Sequence, residues 1–171
     1  MTLILSGTDG LSDVDGSAAT PAIRGTDANT GIFFPAADTI AFSEGGVESM
    51  RLDSSANLQF NSGYGSVATA YGCRAWVNFN GTGTVAIRAS GNVTSITDNG
   101  TGDYTVNFTT AMTDANYAVT GTQSSDNETS ANNPVQGPAT VDYSTGSFRV
   151  YTGSNTSTKQ DNVRVCLAAI R

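Results

Sequence analysis

No stretch of this chain repeats the apolar spacing of an amphipathic helix over three turns, and that constrains the fold more than any other feature. Turn-forming pairs recur instead, at Asp9-Gly10, Asp15-Gly16, Gly45-Gly46, Asn80-Gly81 and Asn99-Gly100. Between them lie short segments in which apolar and polar residues alternate, the pattern of strands with one buried face. An all-β chain is expected.

The alternation is clearest from Cys73 to Arg171. In Tyr104-Thr105-Val106-Asn107-Phe108-Thr109 the large apolar residues face one way and Thr or Asn the other. Val77/Phe79, Val85/Ile87/Ala89, Tyr117/Val119, Val141/Tyr143, Phe148/Val150 and Val163/Val165/Leu167/Ala169 repeat the pattern, leaving Arg88, Arg149 and Arg164 outward. Seven or eight strands in so short a segment argue for a C-terminal antiparallel β-sandwich head over residues 73–171.

Ahead of it the texture changes. Residues 31–60 carry apolar side chains in pulses: Ile32, Phe33 and Phe34, then Ile40 and Phe42, Met50 and Leu52, Leu58 and Phe60. A lone ribbon of this kind leaves one apolar face uncovered. Three chains around a common axis would cover it, so these nine residues are expected to form the interface of a short, intertwined trimeric β-shaft. Residues 1–30, rich in Gly, Ser, Thr and Asp, are read as an extended N-terminal arm that orders on a partner, and 61–72 as a linker.

Charge narrows the function. Only 13% of residues are charged, about half the globular norm, whereas Ser, Thr and Asn make up 56 of the 171. Net charge is −7 and the basic residues are scattered, which disfavours nucleic acid, whose affinity comes from phosphate neutralisation. The start, Thr2-Leu3-Ile4-Leu5, is too short for a signal segment and lacks a basic flank, and no apolar run is long enough to insert in a membrane. Cys73 and Cys166 are expected to be buried thiols packed as small apolar groups rather than a bridge.

The stretch Gly25-Thr-Asp-Ala-Asn-Thr-Gly-Ile-Phe-Phe-Pro35, with Asp38-Thr-Ile-Ala-Phe-Ser43 and Gly45-Gly-Val-Glu-Ser-Met-Arg-Leu-Asp-Ser-Ser55, resembles a module of phage tail fibre and virion fibre structural proteins, including those of phages of marine bacteria and cyanobacteria. Arg74-Ala-Trp-Val-Asn-Phe-Asn-Gly-Thr-Gly-Thr-Val-Ala-Ile-Arg-Ala-Ser90 and Asp98-Asn-Gly-Thr-Gly-Asp-Tyr-Thr-Val-Asn-Phe-Thr-Thr110 resemble the head domain of the same class. The resemblance implies a homotrimer made in a bacterial host's cytoplasm and carried on the virion. Its residues 1–30 would dock on a tail, baseplate or capsid protein and its head would meet a host glycan or protein. Some relatives carry a self-cleaving chaperone with a catalytic Ser and Lys. Here the sandwich follows instead and the only Lys, Lys159, sits in a polar loop, so no family active site carries over.

The residues themselves offer little chemistry. Without His there is no Ser-His-Asp or Cys-His system, and two Cys cannot complete a zinc site. Asp13-Val-Asp15-Gly16 lacks the later ligands of a calcium loop and reads as an acidic turn. No cofactor or metal is expected. A glycosidase needs only two carboxylates, and Asp98, Asp103, Asp114, Asp126, Glu128, Asp142 and Asp161 are available, but the short loops leave little room for a cleft. The chain is therefore expected not to be an enzyme; a small polysaccharide-degrading tailspike is the alternative, as is a capsid head fibre or decoration protein with no receptor role. For receptor contact the long loops 121–138 and 152–162 offer Asp126, Asn127, Asn132, Asn133 and Asn155, unless they are merely solvated. Trp76 and Tyr151 face away from the aliphatic rows, either as stacking platforms for a receptor or as packing between subunits.

Overall fold

The computed structural model describes residues 5–6, 10–11, 14–124, 137–153 and 158–171. Every regular element among them is a strand and every ladder is antiparallel. The chain forms two compact units, Met1–Ala70 and Tyr71–Arg171.

In the N-terminal unit, β1 (Leu5–Ser6) and β2 (Gly10–Leu11) form a two-residue ladder. A six-stranded meander follows: β3 (Ile23–Arg24), β4 (Gly31–Phe33), β5 (Ile40–Glu44), β6 (Val47–Leu52), β7 (Leu58–Phe60) and β8 (Ala68–Thr69), each paired with the next. Gly45 and Gly46, at φ 59° and 82°, make the two-residue turn between β5 and β6, where the strand twist demands positive φ at both positions. Asp53 builds the next turn: its Oδ1 accepts the amides of Ser55 and Asn57, both at 2.9 Å, and its Oδ2 accepts Gln59 Nε2 at 2.7 Å.

The sheet takes in more of the chain than its apolar pulses announce. Where the sequence suggests an arm through residue 30, the Asp15 carbonyl accepts the Phe34 amide at 2.8 Å, the Asn29 carbonyl accepts that of Gly46 at 2.8 Å, and Ile23–Arg24 is an edge strand. Within the expected linker 61–72, Ala68–Thr69 is the other edge, and Gly72 exchanges two backbone bonds of 3.1 Å with Arg171. These ties run through the backbone and so leave no mark on side-chain composition.

The C-terminal unit holds two four-stranded sheets. One has the order β10 (Ala86–Gly91), β9 (Cys73–Asn80), β16 (Arg164–Ile170), β13 (Ala118–Ser124); the other β11 (Val93–Gly100), β12 (Asp103–Phe108), β15 (Ser147–Tyr151), β14 (Ala139–Val141). Their inward residues form a single sandwich-like core. Val77, Phe79, Val165 and Leu167 come from the first sheet, and Tyr104, Val106, Phe108, Phe148 and Val150 from the second. Phe79 meets Tyr104 edge to face with centroids 5.2 Å apart, and Phe108 meets Tyr117 at 5.6 Å. Each such buried side chain stabilises the unit by about 1.5–3 kcal/mol.

The chain changes sheets at Asn92, whose φ of 56° turns β10 into β11. Its Nδ2 donates to the Arg74 and Thr110 carbonyls at 3.2 and 3.0 Å, and its Oδ1 accepts the Thr110 amide at 2.8 Å.

Three details depart from the sequence pattern. A bulge at Arg88 breaks the alternation of Val85/Ile87/Ala89, so Ile87 pairs with the inward Phe79 while exposed Ala89 pairs with outward Asn78. Val163 falls outside β16 and is only half-buried. Cys73 is not buried: it is exposed at the start of β9, with its thiol 3.4 Å from the Ala75 carbonyl, and Cys166 is half-buried on the outward side of β16, both thiols free.

Candidate functional site

Cross-strand register assembles an apolar face on the six-stranded sheet. One row runs through all six strands as Ile23, Ile32, Phe42, Met50, Phe60 and Ala68; two residues along the pleat a second row holds Ile40, Leu52 and Leu58. Phe34 joins Ile40 and Leu52 around an open depression of about 680 Å³, rimmed by Asp38, Thr39 and Asp53. Ile40, Leu52, Leu58 and Phe60 are 42–45% exposed. Scattered exposed aliphatics need no explanation, but a contiguous set in register is the mark of an interaction surface.

The reverse face differs in chemistry. It carries Ala41, Arg51 and Gln59 in one row, with Arg51 forming a two-point ion pair with Glu48. Phe33 lies there too, 4% exposed beside fully buried Ala41. Of the nine residues expected to line a subunit interface, eight thus share one face. Phe33 is the exception, because three consecutive apolar residues in a strand cannot all point one way.

In the C-terminal unit the two aromatic candidates stand on opposite outer faces and cannot share one binding site. Trp76 lies on the β10-β9-β16-β13 sheet, 45% exposed, between Gly91 and Ala168. A Cβ on Gly91 would stand 2.4 Å from Trp76 Nε1, so the indole rests across glycine backbone. Asn78, next outward along β9, has a buried Oδ1 that accepts no hydrogen bond, an arrangement that costs about 1–3 kcal/mol unless something outside the chain donates to it.

Tyr151 lies on the β11-β12-β15-β14 sheet, within a charged network. Lys159 Nζ sits 3.7 Å from its ring centroid and the Arg149 guanidinium at 5.3 Å. Both cations converge on Asp103, which is almost fully buried: Arg149 donates through Nε at 2.7 Å and Nη2 at 2.8 Å, and Lys159 at 2.6 Å. Chiefly through the Arg149 bonds, and against the cost of burial, the Asp103 carboxyl is held far below the ordinary value of 3.8. Nearby, the buried Tyr104 hydroxyl lies 2.7 Å from Asp161 Oδ1 and 2.8 Å from the Gly81 carbonyl, and donates to the carboxylate as the stronger acceptor. Burial first, then Asp161, push this phenol well above 10. Asp161 also accepts the Gly102 amide at 2.7 Å, which anchors the β11–β12 turn.

These groups bind one another and leave little chemistry free. Asp103 and Asp114, the latter paired with Arg171, are both shifted toward the ionised form. Neither can carry the proton that a glycosidase acid delivers near neutral pH. No cluster of three or more potential metal ligands occurs among the described residues. The loop candidates Asp126, Asn127, Asn132, Asn133 and Asn155 lie outside the described residues, as does Glu128.

Sequence reasoning missed the Asp103–Arg149–Lys159 network and Asn78. The available signal was that Asp103 and Arg149 occupy outward positions of segments whose inward residues are strongly apolar. Comparison with protein-family models, with curated proteins and with solved structures finds no match for this chain.

Proposed function

We propose that this chain is a virion structural fibre protein that works as a homotrimer. In this reading residues 1–30 attach to the tail or baseplate, three copies of 31–60 share an apolar interior as the shaft, and 73–171 is a β-sandwich head presented to the host surface. The protein has no catalytic role in it. The observation that carries the reading is the in-register face of Ile32, Phe42, Met50, Phe60, Ile40, Leu52 and Leu58, on which Ile40, Leu52, Leu58 and Phe60 are nearly half-exposed and the other three partly buried. Covering a half-exposed Leu, Ile or Phe contributes roughly 1 kcal/mol, so a full set in each of three chains outweighs much of the entropy lost on association.

The test is the mass of the full chain in solution. Light scattering over a hundred-fold concentration range should give three chains per particle. A well-folded monomer throughout that range would remove the shaft and the fibre with it. With the trimer in hand, an antibody to residues 71–171 should label particles at the tail and block adsorption.

A further inference from the structure

We infer that the outer face of the β10-β9-β16-β13 sheet binds an acidic glycan, with Trp76 as the stacking platform and Arg74 as the anion contact. This rests on the reading of the C-terminal unit as the part that meets a host surface, and it names the residues and ligand class for that role.

Shape comes first. Arg74, Trp76 and Asn78 are successive outward residues of β9, since Ala75, Val77 and Phe79 between them are buried. Directly beside the indole the neighbouring strands present small side chains, Gly91 and Ala89 on β10 and Ala168 on β16, with exposed Thr120 and Thr122 beyond on β13 and Ile170 next outward along β16. The cross-strand neighbours Gly91 and Ala168 leave the ring open, so the C–H face of a pyranose can lie flat upon it. Among the described residues Trp76 makes no aromatic or cation contact, whereas the Tyr151 ring already carries Lys159.

Hydrogen bonding fits the same ligand. The Thr120 and Thr122 hydroxyls donate and accept, as sugar hydroxyls require. Asn78, two residues along β9 from Trp76, adds an amide whose oxygen has no hydrogen-bond partner.

Charge selects among sugars. The four strands contain no Asp or Glu but hold Arg74, Arg88 and Arg164, in a chain whose net charge is −7. Arg74 is exposed beside the indole, while Arg88 donates to the Val163 carbonyl at 2.6 Å and Arg164 already has a partner. Asp114, which precedes β13, is tied to Arg171. A carboxylate or sulfate on the sugar meets Arg74 on this face and no carboxylate of its strands, which favours uronic or sulfated sugars over neutral ones.

Trp76 is the only tryptophan, so its emission reports on this face alone. The full chain, in its native assembly, is titrated with alginate, polygalacturonate and chondroitin sulfate oligomers, with dextran oligomers of equal length, and with a single-stranded oligonucleotide. At least one acidic glycan should shift the emission to the blue and protect Trp76 from acrylamide quenching, with dextran weaker by about ten-fold or more. By calorimetry Trp76→Ala should weaken that glycan about ten-fold, Trp76→Phe should recover part of the loss, and Arg74→Gln should narrow the preference over dextran.

The inference is overturned by silence toward every acidic glycan, by equal affinity for dextran, or by preference for the oligonucleotide. It is also overturned if Trp76 is shielded from acrylamide before any glycan is added, for then another copy of the chain covers the face. Light scattering on the same samples separates the two levels: failed titration of an intact trimer sinks the glycan surface alone, whereas a monomer sinks the fibre reading.

Discussion

Asn92 and Thr110 hold each other twice, side-chain amide to backbone carbonyl at 3.0 Å and backbone amide to side-chain oxygen at 2.8 Å, at the point where the chain leaves one sheet of the C-terminal unit for the other. Asn92 tolerates its φ of 56° better than most residues because a short amide can satisfy the backbone locally.

Two substitutions separate these contributions. Asn92→Ala removes the bonds and adds strain at positive φ, and should cost about 2 kcal/mol. Asn92→Gly removes the bonds without the strain and should cost about half as much. Thermal unfolding of the two variants checks the order; equal losses would mean that the left-handed conformation carries no cost here.

Acid should weaken the C-terminal unit through Asp103. Its carboxyl is held below the ordinary 3.8 by Arg149 and Lys159, so on acidification the unfolded chain takes up this proton before the folded one. The stability it contributes is complete above pH ~4 and is lost as pH falls below that value. Melting temperature should decline between pH 4 and 2, and Asp103→Asn should flatten that slope while costing about 1–2 kcal/mol at pH 7.

Alkali should also destabilise the C-terminal unit, through two tyrosines. Burial, then Tyr143, pushes the Tyr117 phenol up to about 12, and Tyr104 is raised as well. Above pH 10 the unfolded chain gives up protons that the folded one retains, so stability falls as pH rises. Ultraviolet titration should show two phenols ionising only together with unfolding, and Tyr117→Phe should remove one of them.

The apolar face of the six-stranded sheet gives a mutational test of assembly. Phe60→Asp or Leu52→Asp introduces a charge where a single chain would tolerate it, since both positions are nearly half-exposed. Each should convert trimer to monomer by light scattering, while Tyr64→Asp, at a residue 91% exposed, should leave the mass unchanged. Residues 1–70 carry eight acidic side chains against Arg24 and Arg51, so the proposed trimer should tighten from 20 to 300 mM salt as their repulsion is screened.

Much of this architecture was legible in the residues. Glycine and asparagine pairs marked turns, and Tyr104, Val106 and Phe108 announced a buried strand face because the pleat turns a two-residue period into a side of a sheet. What stayed hidden depended on which strands meet. Asp103 finds Arg149 and Lys159 across 46 and 56 residues of chain, and no local spacing encodes such a meeting. The bulge at Arg88 reversed the side on which Ala89 lies without any glycine or proline to announce it. Several of the bonds that hold residues 15–31 and 68–72, such as Phe34 amide to Asp15 carbonyl and the Gly72–Arg171 pair, are made by the backbone, to which composition is blind.

The outermost strands of the six-stranded sheet, Ile23–Arg24 and Ala68–Thr69, are each two residues long. So short a run of open amides and carbonyls gives an incoming chain almost nothing to zip onto, and edge-to-edge growth into filaments is discouraged at both margins. What remains for association is the broad side of the sheet, and in the proposed trimer contact there would close on itself and stop at three chains.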